Sequence, residues 1–300
     1  MPIDESDELN FIIAIDHRVD ICTELLEAPP GQPSAAAMQR AAELKGVVFA
    51  GLMNAVEAGV PKSQAGFWAE SNIGEATLLR ARAMNLKTAV SIERPRTAEF
   101  QLEDALGFAT TLKRLAATYA AARVTYNPDG DTSANQSQRL QLRRITEICR
   151  SDGPRLMLEL NVGPTESKSR PALLVRAVRD LQDAGIEPHV WVFEPPMEPT
   201  AAATIVAQAF VDDRRPVVLF SVGNDSAMEP RSPVHDDIAW LAARTTGVSG
   251  LVIGPAAYYR YLAGYASGDS TGDAAIAAIS DRFRRLRSLF TEARRTSNVS

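Results

Sequence analysis

Val190-Trp191-Val192-Phe193-Glu194-Pro195 is a run of four apolar residues that stops abruptly at an acid and a proline. Its β-branched and aromatic content suits a buried strand, and the proline ends it because it has no N–H to pair. The pattern recurs along the chain. Phe11 to Ile15 closes in Asp16-His17-Arg18, Gly66 to Ala69 in Glu70, Thr88 to Ile92 in Glu93-Arg94, and Leu156 to Leu158 in Glu159. A stretch with helical spacing follows each run, as Ala41, Leu44, Val48 and Leu52 illustrate after the first. Strands joined through helices run parallel, so their carboxyl ends point the same way and bring these charges to one face.

Working outward, strand-like runs fall near residues 11–16, 65–70, 88–93, 122–127, 155–160, 189–194, 216–222 and 250–254. Amphipathic stretches alternate with them near 34–58, 73–85, 101–118, 134–151, 169–184, 199–211, 233–246 and 274–295. No Gly/Ser-rich linker interrupts the alternation, and each crossover is long enough for a right-handed βαβ unit. Eight such units predict an α/β protein with a single closed (β/α)8 barrel over residues 1–300, frayed over about the first eight and last six residues. An open doubly wound sheet has the same local pattern but usually fewer strands. No Gly-x-Gly-x-x-Gly follows the first strand, as a dinucleotide fold would require.

The 300 residues carry a formal charge of −5, with no basic surplus to attract nucleic acid. The amino terminus lacks the basic-then-apolar order of a signal peptide, and no apolar run approaches the roughly 18 residues that span a bilayer. Two cysteines, Cys22 and Cys149, cannot build a disulfide framework. The expectation is a cytoplasmic protein with a small-molecule partner, no nucleic acid and no membrane, self-association being left open.

Side chains at i and i+2 share a face of a strand. Glu194 therefore goes with Val192 and Val190, Asn161 with Glu159 and Met157, Glu93 with Ser91, and Asp16 with Ala14. The fourth strand offers either Arg123, Thr125 and Asn127 or Val124 and Tyr126, and polarity favours the first set. A mouth holding Asp16, Glu70, Glu93, Glu159 and Glu194 is strongly acidic unless Arg18, Arg94, Arg123 or a bound cation balances it.

AIDHR at 14–18, AESNIG at 69–74, SIERPRTAEFQLED at 91–104, YNPDGD at 126–131, LMLELNV at 156–162, VWVFEP at 190–195 and VIGPAAYYRYLAG at 252–264 carry a resemblance. Their order and spacing resemble the class I aldolase barrels related to tagatose-1,6-bisphosphate aldolase. The likeness is strongest to the aldolase-like domain found alone or fused to 5-dehydro-2-deoxygluconokinase in inositol catabolism. The resemblance implies C–C bond cleavage or formation in a ketose phosphate through a Schiff-base lysine. In relatives that lysine stands in a Trp-Lys-Leu-Glu-Pro motif, where this chain has Val192. A second lysine of the relatives falls near Ala121, and the His of a Tyr-His-Pro-Asp motif has become Asn127. The acid/base carboxylate of the fifth strand matches as Glu159.

No other lysine replaces it readily. Lys45 and Lys113 fall within helices, Lys62 and Lys87 at the amino ends of strands, and only Lys168, in the loop after the fifth strand, at the correct end. Three readings follow. The first is a lysine-less, acid/base enzyme on a sugar phosphate or polyol, a lyase or isomerase, with Glu159 as acid/base. Asp16 and Glu194 then hold substrate hydroxyls, Arg18 is an anion contact, and His17, Glu70, Glu93, Arg123, Asn127 and Asn161 also bind substrate. The second is a lyase or isomerase using a divalent cation held by carboxylates and His17, although His189 and His235 lie elsewhere and no metal ligand is assigned. The third is a ligand-binding or regulatory barrel that has lost its nucleophile. Phosphate, if bound, is expected on backbone N–H groups near Gly223 and Gly254, with Pro255 unable to donate. No resident cofactor is assigned.

Overall fold

The computed structural model describes residues 10–16, 21–26, 28, 33–95, 97, 99–151, 153–164, 169–211, 215–223 and 232–297. The expected frayed amino end, residues 298–300, His17, Arg18 and Lys168 lie outside the described residues, while residues 295–297 of the expected frayed carboxyl end are helical. Eight parallel strands, β1 (Asn10–Ala14), β2 (Ala65–Glu70), β3 (Lys87–Ser91), β4 (Tyr119–Thr125), β5 (Arg155–Asn161), β6 (Val190–Phe193), β7 (Val217–Val222) and β8 (Val248–Ile253), pair in chain order. Pairing of β8 with β1 closes the (β/α)8 barrel.

Helices α1 (Ala35–Glu57), α2 (Glu75–Ala83), α3 (Phe108–Leu115), α4 (Thr132–Ser151), α5 (Arg170–Asp183), α6 (Pro199–Ala209) and α7 (Ser232–Arg244) fill the crossovers. Local chemistry starts several of them. Ser34 Oγ accepts the Ala37 N–H at 3.1 Å to cap α1, and the Glu198 carboxylate accepts from Thr200 and Ala201 at 3.1 and 2.6 Å to cap α6. Pro171 and Pro199 occupy first-turn positions, where a missing N–H leaves no intrahelical bond unmade.

Three boundaries differ from expectation. β4 starts at Tyr119, because Ala120 to Ala122, which locally favour a helix, are instead held in the sheet between β3 and β5. α3 is short because the preceding segment turns back on β3: Glu93 and Leu102 form an antiparallel bridge, and Glu103 N donates to Ile92 O at 2.9 Å. A further helix, α8 (Tyr259–Ser267), precedes the last one, α9 (Gly272–Ser297). Gly268, at φ 86°, separates the two.

The barrel interior is packed by a separate cluster that includes Ile12, Trp68, Tyr119, Met157, Val192 and Leu219. Trp68 pairs in register with Ala14 on one side and Ala89 on the other, so small neighbours make room for the indole. At the amino-end face Lys87 Nζ donates to Asn10 Oδ1 at 2.6 Å, far from the carboxyl ends.

Candidate active site

Arg123, on β4, is the centre of the carboxyl-end face. Its Nη1 donates to Asp16 Oδ2 at 2.6 Å and its Nε to Glu159 Oε2 at 2.7 Å. The guanidinium lies over the Trp68 ring, 4.7 Å from the centroid, a favourable place for a cation. Trp68 Nε1 in turn donates to Ser91 Oγ at 2.8 Å, and Ser91 Oγ donates to Asp16 Oδ2 at 3.2 Å. Residues from β1, β2, β3, β4 and β5 are thus tied together, as alternation along each strand requires. Burial works against the Arg123 charge, but the fields of Asp16, Glu159 and Glu93 outweigh it and raise its pKa above the ordinary arginine value. Arg123 is therefore the balancing cation that an acidic mouth needs.

Beside this assembly a cavity of about 710 Å³ opens over the carboxyl ends of β4 to β7. Its wall includes Arg123, Thr125, Glu159, Asn161, Arg170, Glu194, Ser221, Gly223 and His235. Arg170, at the start of α5, donates through Nη2 to Asn161 Oδ1 at 3.1 Å and to Glu194 Oε2. Asn161 Oδ1 also accepts the Gly163 N–H at 2.9 Å. Each guanidinium on the wall is thus joined to a carboxylate on it. The volume is within the range of small-molecule sites, and the mixed lining offers both donors and acceptors to a hydroxylated ligand.

The structure brings together Arg123, Glu159, Asn161, Glu194 and Gly223 on one wall, with Asp16 bonded to Arg123 behind it. Glu93 contributes its field to Arg123. Glu70 goes elsewhere: its carboxylate meets Lys45 Nζ at 2.8 Å, both side chains fully buried. Asn127 closes a turn, its Oδ1 accepting the Asp129 N–H at 3.0 Å and its carbonyl the Asn135 amide at 2.8 Å. Gly254 is also committed, since its N–H goes to Val222 O at 2.8 Å, while Ala256 N donates to Gly223 O at 2.9 Å. The N–H groups of Gly254 and Ala256, after β8, are thus used by the fold and are not open to an anion. Gly223, at φ 70°, permits this knot: a Cβ there would stand 2.7 Å from Ala257 N.

Several participants were not singled out from sequence. Trp68 shares its strand face with Glu70 and has the same spacing signal. Tyr258, whose hydroxyl donates to Ala14 O at 2.5 Å, is held well above the ordinary phenol pKa by burial and by Asp16, against an opposing effect of Arg123. Arg170 and His235 carried no signal, being placed by α5 and α7 rather than by a strand. Among the described residues no lysine lines the cavity, and no three His, Cys, Asp or Glu side chains group as metal ligands. Asp16 and Glu159, as donors to a cation, are already bonded to one guanidinium.

A closed eight-stranded barrel with a charged hollow at the carboxyl ends of its strands defines the class of this protein. The chain belongs to the family described as "Uncharacterized protein conserved in bacteria (DUF2090)", whose model matches residues 3–294. No curated protein matches it in sequence. Its barrel is similar to an archaeal fructose 1,6-bisphosphate aldolase at 12% identity and TM-score 0.60, covering 96% of this chain and 95% of that one. A second archaeal fructose-1,6-bisphosphate aldolase, with the catalytic Lys covalently bound to the carbinolamine intermediate of the substrate, matches at 12% identity and TM-score 0.56, over 95% and 94%. The fructose-bisphosphate aldolase from Slackia heliotrinireducens DSM 20476 matches at 11% identity and TM-score 0.55, over 91% and 86%. At such identities the likeness is one of fold.

Proposed function

We propose that this barrel is an aldolase-superfamily enzyme that cleaves, forms or rearranges a bond in a sugar phosphate or related polyol or keto compound by acid/base chemistry without an imine. The observation that carries the reading is the Asp16–Arg123–Glu159 assembly beside a cavity whose described wall has no lysine. In the cleavage direction, Glu159 accepts the proton of the hydroxyl on the carbon that becomes an aldehyde. The C–C bond breaks, its electron pair passes into the neighbouring ketone as an enolate, and the positive field of Arg123 stabilises that oxygen. The enolate is then protonated to complete the second product. Asp16 and Glu194 act as partners of substrate hydroxyls, with Asn161 beside them.

Val192, buried and apolar inside the barrel, takes the place that the resemblance gives to the nucleophilic lysine. The same feature favours a second reading, a barrel that binds its ligand without converting it. The resemblance to the inositol-catabolism domain supplies the substrate class, and the two free, buried thiols support a cytoplasmic setting.

The test is to incubate the protein with fructose 1,6-bisphosphate and related ketose phosphates and follow C–C cleavage and solvent-deuterium exchange by NMR, with and without borohydride. Cleavage or exchange that is lost in Glu159→Gln, with no reduced adduct, is the expected result. An adduct on any lysine overturns the imine-free mechanism. Binding without cleavage or exchange establishes the second reading.

A further inference from the structure

Two arginines stand on the cavity wall, and their attachments differ in strength. Arg123 donates to Asp16 and Glu159, whose side chains keep only 2% and 10% of their surface, and its guanidinium rests on the Trp68 ring. Drawing it off either carboxylate would leave a nearly buried charge without its partner, so this cation is fixed. Arg170 is paired instead with Glu194, and the two side chains are 30% and 54% exposed. Water solvates both of these charges when they separate, so the pair is weak and open to exchange.

The Arg170 guanidinium is also only partly engaged. Such a group carries N–H donors on all three of its nitrogens. Its bonds to Asn161 Oδ1 and Glu194 Oε2 both leave from Nη2, so Nη1 and Nε meet no acceptor among the described residues. Asn161 Oδ1 is itself held by the Gly163 N–H at 2.9 Å, and it keeps its bond to Arg170 whether or not Glu194 does. One side of the guanidinium is therefore anchored by a neutral amide, and the other is occupied by a carboxylate that another anion can replace. A phosphate oxygen pair matches the guanidinium fork better than a single carboxylate oxygen does.

We propose that Arg170 is the phosphate-recognition residue of the cavity and Glu194 its internal stand-in: the phosphate of the ligand takes the guanidinium from Glu194 while Asn161 holds it in register. This rests on the sugar-phosphate reading above and assigns the place of the anionic end. The displaced Glu194 carboxylate is then released to accept from a hydroxyl of the same ligand. Because Glu194 competes with the phosphate for one cation and repels it, removing its charge strengthens phosphate binding, the opposite of what deletion of an ordinary ligand contact does.

The experiment is titration calorimetry of the full chain with inorganic phosphate, fructose 1,6-bisphosphate and fructose, on wild type, Arg170→Gln, Arg170→Lys and Glu194→Gln. Arg170→Gln should weaken both phosphate probes about tenfold, the worth of a charge-assisted hydrogen bond, and leave fructose unchanged. Glu194→Gln should tighten inorganic phosphate about two- to fivefold, the worth of an exposed ion pair, without tightening fructose. Arg170→Lys should fall between wild type and Arg170→Gln, because an ammonium keeps the charge and loses the fork. Inorganic phosphate that binds Glu194→Gln no better than wild type overturns the stand-in, and bisphosphate that binds Arg170→Gln as it binds wild type overturns the inference while leaving the sugar-phosphate reading intact. Failure of both wild type and Glu194→Gln to bind any phosphate probe overturns the inference and the phosphate reading together. Should Arg170→Gln not fold, Arg170→Lys and Glu194→Gln decide by the same criteria.

Discussion

Lys45 Nζ lies 2.8 Å from Glu70 Oε2, and neither side chain has any exposed surface. The ammonium also donates to the carbonyl of Ile15, immediately before Asp16, while Glu70 Oε1 accepts the Ile73 N–H at 3.1 Å. One ion pair therefore fastens α1 to the ends of β1 and β2. Removing either charge strands the other in an apolar layer. Lys45→Met or Glu70→Gln should each lose about 3–5 kcal/mol of stability, and the double variant Lys45→Met/Glu70→Leu much less than their sum. Urea denaturation followed by circular dichroism measures all three. Additive losses would show that the two residues act independently.

Arg123 serves two acceptors and a ring face at once, which a lysine cannot do. Its side chain is 27% exposed, so part of its worth is screened by solvent. Arg123→Met is expected to cost about 2–3 kcal/mol and Arg123→Lys less, and both should weaken bisphosphate binding. A lysine variant equal to wild type in both stability and affinity would mean that charge alone suffices.

Burial raises the pKa of both thiols, Cys149 to about 11 and Cys22 by a smaller amount, where Lys45 opposes the rise. At pH 8 only about one Cys149 in a thousand is then a thiolate. Native protein should show no thiol reacting rapidly with a disulfide reagent, and urea-unfolded protein should show two. Fast native reaction would place a cysteine in an opened region.

Asp236 is burdened by burial, yet its hydrogen bonds to Arg285 and Arg282 hold its pKa below the usual aspartate value. A depressed native pKa means that the stabilisation is complete above the unfolded value, about 3.9, and is lost as pH falls through the native one. Asp236→Asn should therefore lower the melting temperature at pH 7, by an amount corresponding to about 1–2 kcal/mol, and the gap should close on acidification below pH 4. A gap independent of pH would assign the effect to packing.

Five strand ends were readable because an apolar run closed by a charge is a local pattern, and period two correctly put Met157, Val190 and Val192 inside the barrel. On β4, where parity left two sets open, polarity favoured the one with Arg123. What failed depended on partners distant in sequence. The strand reading began at Ala122 and left out Tyr119 to Ala121, which pairing with β3 and β5 holds in the sheet, and Glu70 looks like a site residue until Lys45 reaches it from α1. Lys45 itself was dismissed by its place in a helix, since nothing local marks which helical lysine turns inward. His235 and Arg170 reach the cavity from helices, where the strand rule has no force.

The two ion pairs on the cavity wall are unlike: Arg123 rests on the Trp68 ring, whereas Arg170 bonds Asn161 and Glu194. A molecule whose two termini are chemically alike would meet dissimilar surroundings at each, and so would settle in one direction rather than two. Orientation, and with it the choice of which prochiral side is presented to Glu159, would follow from that difference.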